Sequence, residues 1–285
     1  MTTFVLTLLT LVAFAANSVL GRLALEGGRI DPFSFTTVRL VSGALMLAVV
    51  VRLVGEKKDD SRSPASWRAA LALFAYAAAF SWAYMSLGAG TGALVLFGGV
   101  QVTMLVAAFR DGERLTAGQW AGFGVAITGL VYLVSPGVTA PPLLGAVLMT
   151  LSGVAWGLYS LAGRGATSPT RITFQNFSRA APLAVAASVV VGVANASQLQ
   201  LATSGVTLAV VSGAVTSGLG YVVWYQTLPR LTTTRAAIVQ LLVPVIATLG
   251  GVFFLGEQVT PRLMVATTMI LGGVAAAILG KERRG

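Results

Sequence analysis

Residues 112–116 read Gly-Glu-Arg-Leu-Thr, and residues 256–260, 144 positions further along the chain, read Gly-Glu-Gln-Val-Thr. The same offset aligns three further pairs: Ala93 with Ala237, Phe109 with Phe253 and Gly129 with Gly273. An offset of 140 aligns Arg39 with Arg179, and the small drift in offset fits short insertions between helices. We therefore interpret residues 1–135 and 142–285 as two copies of one unit.

The composition is that of a protein whose surroundings are mostly lipid. Of its 285 residues 56% are hydrophobic and only 10% are charged, and the mean hydropathy is +0.84. So few charged side chains cannot cover a water-soluble surface. The net charge of +10 does not indicate a nucleic-acid partner, because the Lys and Arg residues lie between apolar runs instead of clustering on one segment.

Ten apolar runs have about the length of roughly 20 residues that a helix needs to cross a bilayer. They cover approximately residues 3–21, 33–54, 67–87, 91–109, 117–134, 143–162, 172–193, 205–225, 234–254 and 262–280. Five spans per unit is an odd number, so the second copy enters the membrane from the opposite side. We predict an all-α polytopic membrane protein with ten transmembrane helices in two inverted five-helix repeats.

The starts of the fifth and tenth runs carry matching capping signals. Thr116 with Gln119 fits a capping box, and Thr260 followed by Pro261 fits an N-cap with proline at the first helical position. The first run is expected to stay as a helix and not to be a cleaved signal, because no Lys or Arg precedes it.

The basic residues predict the orientation, because Lys and Arg in short loops stay on the cytoplasmic side. With the N-terminus in the cytoplasm, fourteen of the nineteen lie in inner segments and three in outer segments, while Arg39 and Arg179 fall inside helices. We predict a multi-pass protein of a bacterial-type inner (plasma) membrane with both termini in the cytoplasm.

The residue types exclude most enzyme chemistry. The chain has no Cys and no His, which removes disulfides, cysteine nucleophiles, most zinc sites and imidazole acid–base catalysis. No Gly-x-x-x-x-Gly-Lys-Ser/Thr loop is present for ATP, and no group of carboxylates lies together at the depth a membrane enzyme would need. We predict that the protein is not an enzyme and uses no cofactor and no metal.

The repeated Gly-Glu-x-hydrophobic-Thr pattern, each time followed by a helix with a glycine near its end, Gly129 or Gly273, carries a family resemblance. In a chain of ten spans it resembles the EamA-type members of the drug/metabolite transporter superfamily and, among them, the YddG-like amino-acid exporters. The resemblance covers essentially the whole chain. It implies ten helices with cytoplasmic termini, a central cavity lined by helices 1, 3, 4, 6, 8 and 9, and efflux of small metabolites or amino acids.

Polar and aromatic residues deep in the spans are the candidates for the substrate site, because buried polar groups are costly unless they face a cavity or a partner. Tyr76, Phe80 and Tyr84 recur at helical spacing and share a face. The candidates for the central cavity are Asn17, Tyr76, Phe80, Phe97, Gln101, Trp156, Tyr159, Tyr221, Trp224 and Gln240. Helix packing is the alternative role for them, and for Tyr84, Trp224 and Tyr225 an aromatic belt at the membrane surface is another.

The charged residues predict an uncoupled carrier. Arg39 and Arg179 each lie about two turns from a helix end, so snorkelling or binding to backbone carbonyls is expected ahead of substrate contact. All nine acidic residues fall in loops or at helix ends, which leaves no carrier for a proton. A net-neutral site suited to zwitterions follows, with facilitated diffusion or exchange as the mode of transport.

Together these features predict a secondary transporter that exports small neutral or zwitterionic metabolites, amino acids first among them, by alternating access. Its partners are a small-molecule substrate and the lipid bilayer, and the sequence leaves the oligomeric state open, with a monomer among the options. A passive channel, or an exporter of other metabolites or drugs, stays as the alternative. Saturable flux with counterflow separates a carrier from a channel.

Overall fold

The computed structural model describes residues 3–54, 66–110, 116–137, 140–163, 168–194, 199–231, 236 and 239–282. Over this part of the chain the protein is built from helices. They are α1 (Thr3–Leu25), α2 (Pro32–Val54), α3 (Trp67–Tyr84), α4 (Ala89–Arg110), α5 (Ala117–Val134), α6 (Leu143–Gly163), α7 (Pro169–Ala194), α8 (Thr203–Val211), a π-helix (Ser212–Leu219), α9 (Gly220–Thr227), α10 (Leu242–Leu255) and α11 (Pro261–Glu282).

Seven helical stretches among the described residues are long and apolar enough to cross a membrane. They are Thr3–Gly28, Pro32–Val54, Ala89–Ala107, Ala117–Val134, Leu143–Gly163, Pro169–Val193 and Thr203–Arg230. The last of these joins α8, the π-helix and α9 into one stretch of 28 residues. The chain is therefore a multi-pass membrane protein.

The run at 234–254 differs from its prediction, because the helix is interrupted. Residues 239 and 240 are helical, Leu241 is a turn, and α10 begins at Leu242 with only 14 residues. Pro244 lacks an N–H and its ring clashes with the carbonyl four residues earlier, which belongs to Gln240. The proline thus breaks the helix beside one of the candidate site residues.

The two predicted helix starts are confirmed. The hydroxyl of Thr116 accepts a hydrogen bond from the Gln119 backbone N–H at 3.3 Å, and the Gln119 side chain accepts from the Thr116 N–H at 2.9 Å. The Thr260 hydroxyl accepts from the Leu263 N–H at 3.1 Å, with Pro261 as the first residue of α11. Residues 112–115 of the first motif lie outside the described residues.

Glycines let several helices pack at backbone contact. A side chain at Gly153 of α6 would collide with the carbonyl of Leu96 in α4, and one at Gly99 would lie 2.8 Å from the carbonyl of Thr150. A side chain at Gly273 of α11 would lie 2.5 Å from the carbonyl of Gly122 in α5. Close approach of this kind is typical of membrane helices, which associate by van der Waals packing.

Hydrogen bonds and an ion pair around Glu257 connect several helices at one end of the bundle, which we call the Glu257 end. Both carboxylate oxygens of Glu257 accept from the backbone N–H of Ala89, at 2.8 and 2.9 Å, where the positive end of the α4 dipole favours an anion. The Nε of Arg22 lies 3.7 Å from the same carboxylate, and its Nη1 donates to the carbonyls of Tyr84 and Met85. These bonds join α1, α3, α4 and the link between α10 and α11.

Candidate substrate site

The centre of the bundle holds a cluster of buried polar side chains, which we call the central polar cluster: Asn17, Arg39, Tyr76, Ser217 and Tyr221. Arg39 is only 1% exposed. Its Nε donates to the Ser217 hydroxyl at 2.9 Å, and its Nη2 donates to the hydroxyls of Tyr76 at 2.9 Å and Tyr221 at 2.8 Å. The Arg39 guanidinium carbon also lies 4.6 Å from the ring centre of Phe80. A cation thus sits among neutral hydroxyls and aromatic rings.

Asn17 connects this cluster to the π-helix. Its amide nitrogen lies 3.2 Å from the Tyr221 hydroxyl and 3.3 Å from the Ser217 hydroxyl. Its amide oxygen accepts from Ser212 at 2.6 Å and from Thr216 at 3.1 Å. Both ends of a buried amide therefore find partners, which is what burial of such a group requires.

The π-helix is the reason that Ser212 and Tyr221 face the same interior. In an unbroken α-helix of about 3.6 residues per turn, residues nine positions apart point to opposite sides. The wider turns over Ser212–Leu219 cancel much of that rotation. Ser212 and Tyr221 can then both bond to Asn17. Short π-helical segments are rare and occur often at functional sites.

Aromatic rings form the wall beside the cluster. The Phe14 ring meets the rings of Trp156, Trp224 and Tyr221 edge-on at 5.1, 5.7 and 5.8 Å. The Trp156 ring centre lies 5.0 Å from that of Tyr76. A cavity of about 10 Å³, which is room for a single water molecule, is lined by Phe14, Ser18, Tyr76, Phe80, Leu96, Phe97 and Trp156. This cavity is too small to hold an amino acid.

A hydrogen bond fixes Trp156 in this wall. Its indole N–H donates to the side-chain oxygen of Gln240 at 3.2 Å, and the Gln240 side-chain nitrogen donates to the carbonyl of Ala236 at 3.0 Å. Gln240 is fully buried. The helix interruption caused by Pro244 thus adjoins the residue that orients Trp156.

The structure brings nine of the ten candidate residues into one buried region. The Tyr159 ring centre lies 5.5 Å from that of Trp156. The indole N–H of Trp224 donates to the hydroxyl of Ser160, the residue after Tyr159, at 3.3 Å. Gln101 lies apart, in a narrow crevice between α4, α5 and α11 that is also lined by Phe123 and Ile270. Phe97, one turn earlier, lines the central cavity. The rotation of about 40° between residues four apart is enough to turn Gln101 toward α5.

The aromatic-belt alternative is wrong for Tyr84, Trp224 and Tyr225, which are fully buried. Tyr84 packs on Phe80 at 4.6 Å, and the Tyr225 hydroxyl donates to the carbonyl of Tyr159 at 2.9 Å. Each side chain therefore contacts the bundle interior, and the membrane surface does not explain its position.

The expectation for Arg39 is also wrong, because the residue neither snorkels nor binds backbone carbonyls. It lies on the buried stripe of α2 formed by Phe35, Arg39, Gly43 and Leu47, which recur every four residues. That spacing is a sequence signal that places Arg39 toward the interior. Arg179, which the sequence alignment of the two halves pairs with Arg39, is partly exposed, with its guanidinium over the ring of Trp67 at 5.7 Å.

Three comparisons relate this chain to known proteins. A family model described as the EamA-like transporter family matches residues 1–135 and 143–279. An uncharacterized protein of Pseudomonas aeruginosa is 51% identical over 99% of this chain and 97% of its own length. A probable terminal-alkyne amino-acid exporter of Streptantibioticus cattleyicolor is 26% identical over 93% of this chain and 90% of its own.

A probable amino-acid metabolite efflux pump of Escherichia coli is 23% identical over 98% of this chain and 96% of its own. A crystal structure of a protein that is 21% identical superposes over 97% of each chain with a TM-score of 0.66, which shows a shared fold. The two stretches that the family model matches thus cover nearly all of the chain. The chain belongs to the EamA-like transporter family, within the drug/metabolite transporter superfamily.

Proposed function

We propose that this protein exports amino acids or similar small neutral or zwitterionic metabolites across the inner membrane by alternating access between two inverted five-helix repeats. The observation that carries the proposal is the buried cluster of polar and aromatic side chains at the meeting point of the two units. Asn17, Arg39 and Tyr76 come from the first unit, and Trp156 and Tyr221 come from the second. A site between inverted repeats is typical of secondary transporters.

The pattern of helix contacts supports the inverted repeat. Under the duplication α1 corresponds to α6, α2 to α7, α3 to the α8–π–α9 stretch, α4 to α10 and α5 to α11. Each main helix–helix contact then has an equivalent contact with the two units exchanged. The contact of α3 with α6 corresponds to that of the α8–π–α9 stretch with α1. The contact of α4 with α6 corresponds to that of α10 with α1. The exchange maps three further contacts onto themselves: α2–α7, α4–α10 and α5–α11. This is the pattern that a two-fold axis between the units would produce.

The names of the relatives support the substrate class. Two relatives that match most of this chain are a probable amino-acid exporter and a probable amino-acid metabolite efflux pump. The aromatic wall and the hydroxyl-rich cluster suit an amphipathic molecule of that size. Transport by diffusion down the substrate gradient, or by exchange, is part of the proposal.

Counterflow into liposomes tests the proposal. Purified protein is reconstituted in vesicles preloaded with one unlabelled amino acid, and entry of the same labelled amino acid is followed across a panel of neutral amino acids. We expect saturable entry that the preload accelerates for one class. A passive channel would give non-saturable entry without acceleration, and absence of flux for the whole panel would overturn the assignment to amino acids.

The orientation is a separate part of the proposal, with both termini in the cytoplasm and the Glu257 end facing the periplasm. Because the chain has no Cys, single cysteines can be introduced without background labelling. Ser61→Cys should react with a membrane-impermeant maleimide only from the cytoplasmic side, and Thr139→Cys only from the periplasmic side. Both positions lie outside the described residues. The reverse pattern would contradict the orientation.

A further inference from the structure

Arg39 carries a buried charge that no acidic group in the described structure balances. The ion pairs among the described residues join Arg22 to Glu26 and Glu257, at the Glu257 end. The partners of Arg39 are the hydroxyls of Ser217, Tyr76 and Tyr221. An uncompensated charge within the membrane is costly, and such residues usually mark a substrate or ion pathway.

The hydrogen bonds of Arg39 leave one side of the guanidinium free. Its Nε and Nη2 donate to the cluster, whereas Nη1 is buried and has no hydrogen-bond partner in the described part of the chain. A buried donor without a partner costs free energy, so the Nη1 group is placed to donate a hydrogen bond to an acceptor on a bound molecule. The planar guanidinium fork matches a carboxylate in shape and charge.

The position of Arg39 connects this free donor to the central cavity. Its guanidinium stacks on the rings of Tyr76 and Phe80, with its carbon 5.1 and 4.6 Å from their centres. The same two rings line the small cavity beside Phe97 and Trp156. Tyr76 and Phe80 therefore contact both the cation and the cavity, and a change in either ring would bring the cation closer to a bound substrate.

We infer that Arg39 is the anchor for the carboxylate of the transported molecule. The inference rests on the proposed function and deepens it, because it names the group that the substrate must carry. It replaces the expectation of a net-neutral site with a site that has a fixed positive charge. An amino acid would place its carboxylate on Arg39 and its ammonium toward the aromatic wall, whose ring faces attract cations.

The repeat provides a matched control. Arg179 occupies the equivalent position in the second unit, but it is partly exposed and stacks on Trp67, away from the central polar cluster. Arg179→Gln removes the same charge from the same place in the repeat without touching the proposed anchor. Any effect common to both variants reports on folding or insertion.

The test compares three ligands that differ by one group. For leucine they are leucine itself, leucinamide, which lacks the carboxylate, and 4-methylpentanoate, which lacks the ammonium. For phenylalanine they are phenylalanine, phenylalaninamide and 3-phenylpropanoate. Each competes for counterflow of the labelled amino acid that the liposome panel identifies. We expect the two carboxylates to compete with wild-type transport and the amide to compete at least tenfold more weakly, because a charge-assisted hydrogen bond is lost.

Two variants change the anchor itself. Arg39→Gln should raise the KM for the amino acid roughly tenfold or more and abolish the preference for acid over amide. Asn17→Asp places a carboxylate next to the hydroxyls that Arg39 binds, so it should compete with the substrate and lower the preference as well. Arg179→Gln should keep the wild-type preference. If Arg39→Gln fails to insert in the membrane, the preference of the wild type for acid over amide, and its reduction in Asn17→Asp, still test the inference.

The outcomes separate this inference from the proposed function. Wild-type protein that transports acid and amide equally well, with Arg39→Gln slowing both alike, would overturn the carboxylate anchor and leave the amino-acid transporter standing. Wild-type protein that shows counterflow with no amino acid in the panel would overturn the proposed function. Competition by 4-methylpentanoate or 3-phenylpropanoate equal to that of the amino acid would identify the carboxylate as the essential group.

Discussion

At the scale of single residues, the hydrogen bond from Trp156 to Gln240 has a measurable role in the proposed site. Gln240→Leu would leave the buried indole N–H without its acceptor, and Trp156→Phe would leave the Gln240 oxygen without its donor. An unsatisfied buried group costs about 1–3 kcal/mol, so each variant should lower transport by roughly tenfold. The loss of transport in the double variant should be smaller than the product of the two single losses, because each single variant already removes the same hydrogen bond.

The control for this prediction is Gln101→Leu. Gln101 is a buried glutamine of similar depth, but it faces the crevice between α4, α5 and α11. It should retain the substrate range and the KM of the wild type. A Gln101 variant more impaired than the Gln240 variant would place the site on the other face of α4.

Sequence reasoning predicted which side chains lie in the buried cluster better than it predicted their contacts. The stripe of Tyr76, Phe80 and Tyr84 follows from helical spacing, and ring contacts of 5.5 and 4.6 Å confirm it. The buried position of Arg39 was not predicted, because the sequence argument weighed its distance from a helix end and did not consider its helix face. Its neighbours Phe35 and Gly43 on the same stripe carry the information. The position of Gln101 depends on which helices flank α4, which spacing within one helix cannot give.

At the scale of elements, the π-helix sets the register of the second half of the site. Inserting one alanine after Val215, which is 48% exposed, should turn Tyr221 and Trp224 by about 100° relative to Ser212, because each added helical residue rotates the residues that follow by about that angle. The Tyr221 hydroxyl would then leave Arg39 and Asn17. We expect a protein that inserts in the membrane but has lost transport, measured by counterflow beside a detergent unfolding assay.

Val215→Ala is the matched control for the insertion. It removes side-chain bulk at the same exposed site and keeps the number of residues, so transport should stay near the wild-type level. Wild-type transport by the insertion variant would show that the register set by the π-helix does not matter for the site.

The elements themselves were largely readable from the chain. Apolar runs and the caps at Thr116 and Thr260 gave helix bounds within a few residues everywhere except in the interrupted run at 234–254, because hydrophobic length and capping act locally. The π-helix was not predicted, since Gly213 and Gly218 are equally compatible with a tightly packed α-helix. The extra residue in its turns is stabilised by bonds to Asn17, which is about 200 positions distant. Only the tertiary structure supplies that partner.

At the scale of the whole molecule, the placement of the acidic residues predicts how transport is driven. The described acidic residues Glu26, Asp31, Glu257 and Glu282 lie at the ends of helices or in links between them, and the chain has no His. Arginine does not release its proton in proteins. We expect that a pH gradient imposed on liposomes with equal substrate on both sides produces no net accumulation. Accumulation that collapses on adding a protonophore would contradict an uncoupled carrier.

The same vesicles supply the positive control, since a preload of unlabelled substrate should drive labelled substrate inward without any pH gradient. The bonds at the Glu257 end identify the side that must open in one half of the cycle. There, Arg22, Ala89 and Glu257 have to separate before the periplasmic route can form in the proposed orientation.

The fixed charge of Arg39 has an electrical consequence for a carrier of this kind. When the water-filled route opens on the other side, the part of the membrane potential felt by the guanidinium changes, even though the side chain stays in place. The electrical free energy of this unit charge then changes by up to about 2.3 kcal/mol per 100 mV. The voltage then acts on the switching of the empty carrier. An amino acid adds no net charge and leaves that dependence unchanged, whereas a bound monocarboxylate cancels it. Membrane potential would therefore slow or speed the return of the empty site while leaving the movement of a simple acid almost untouched.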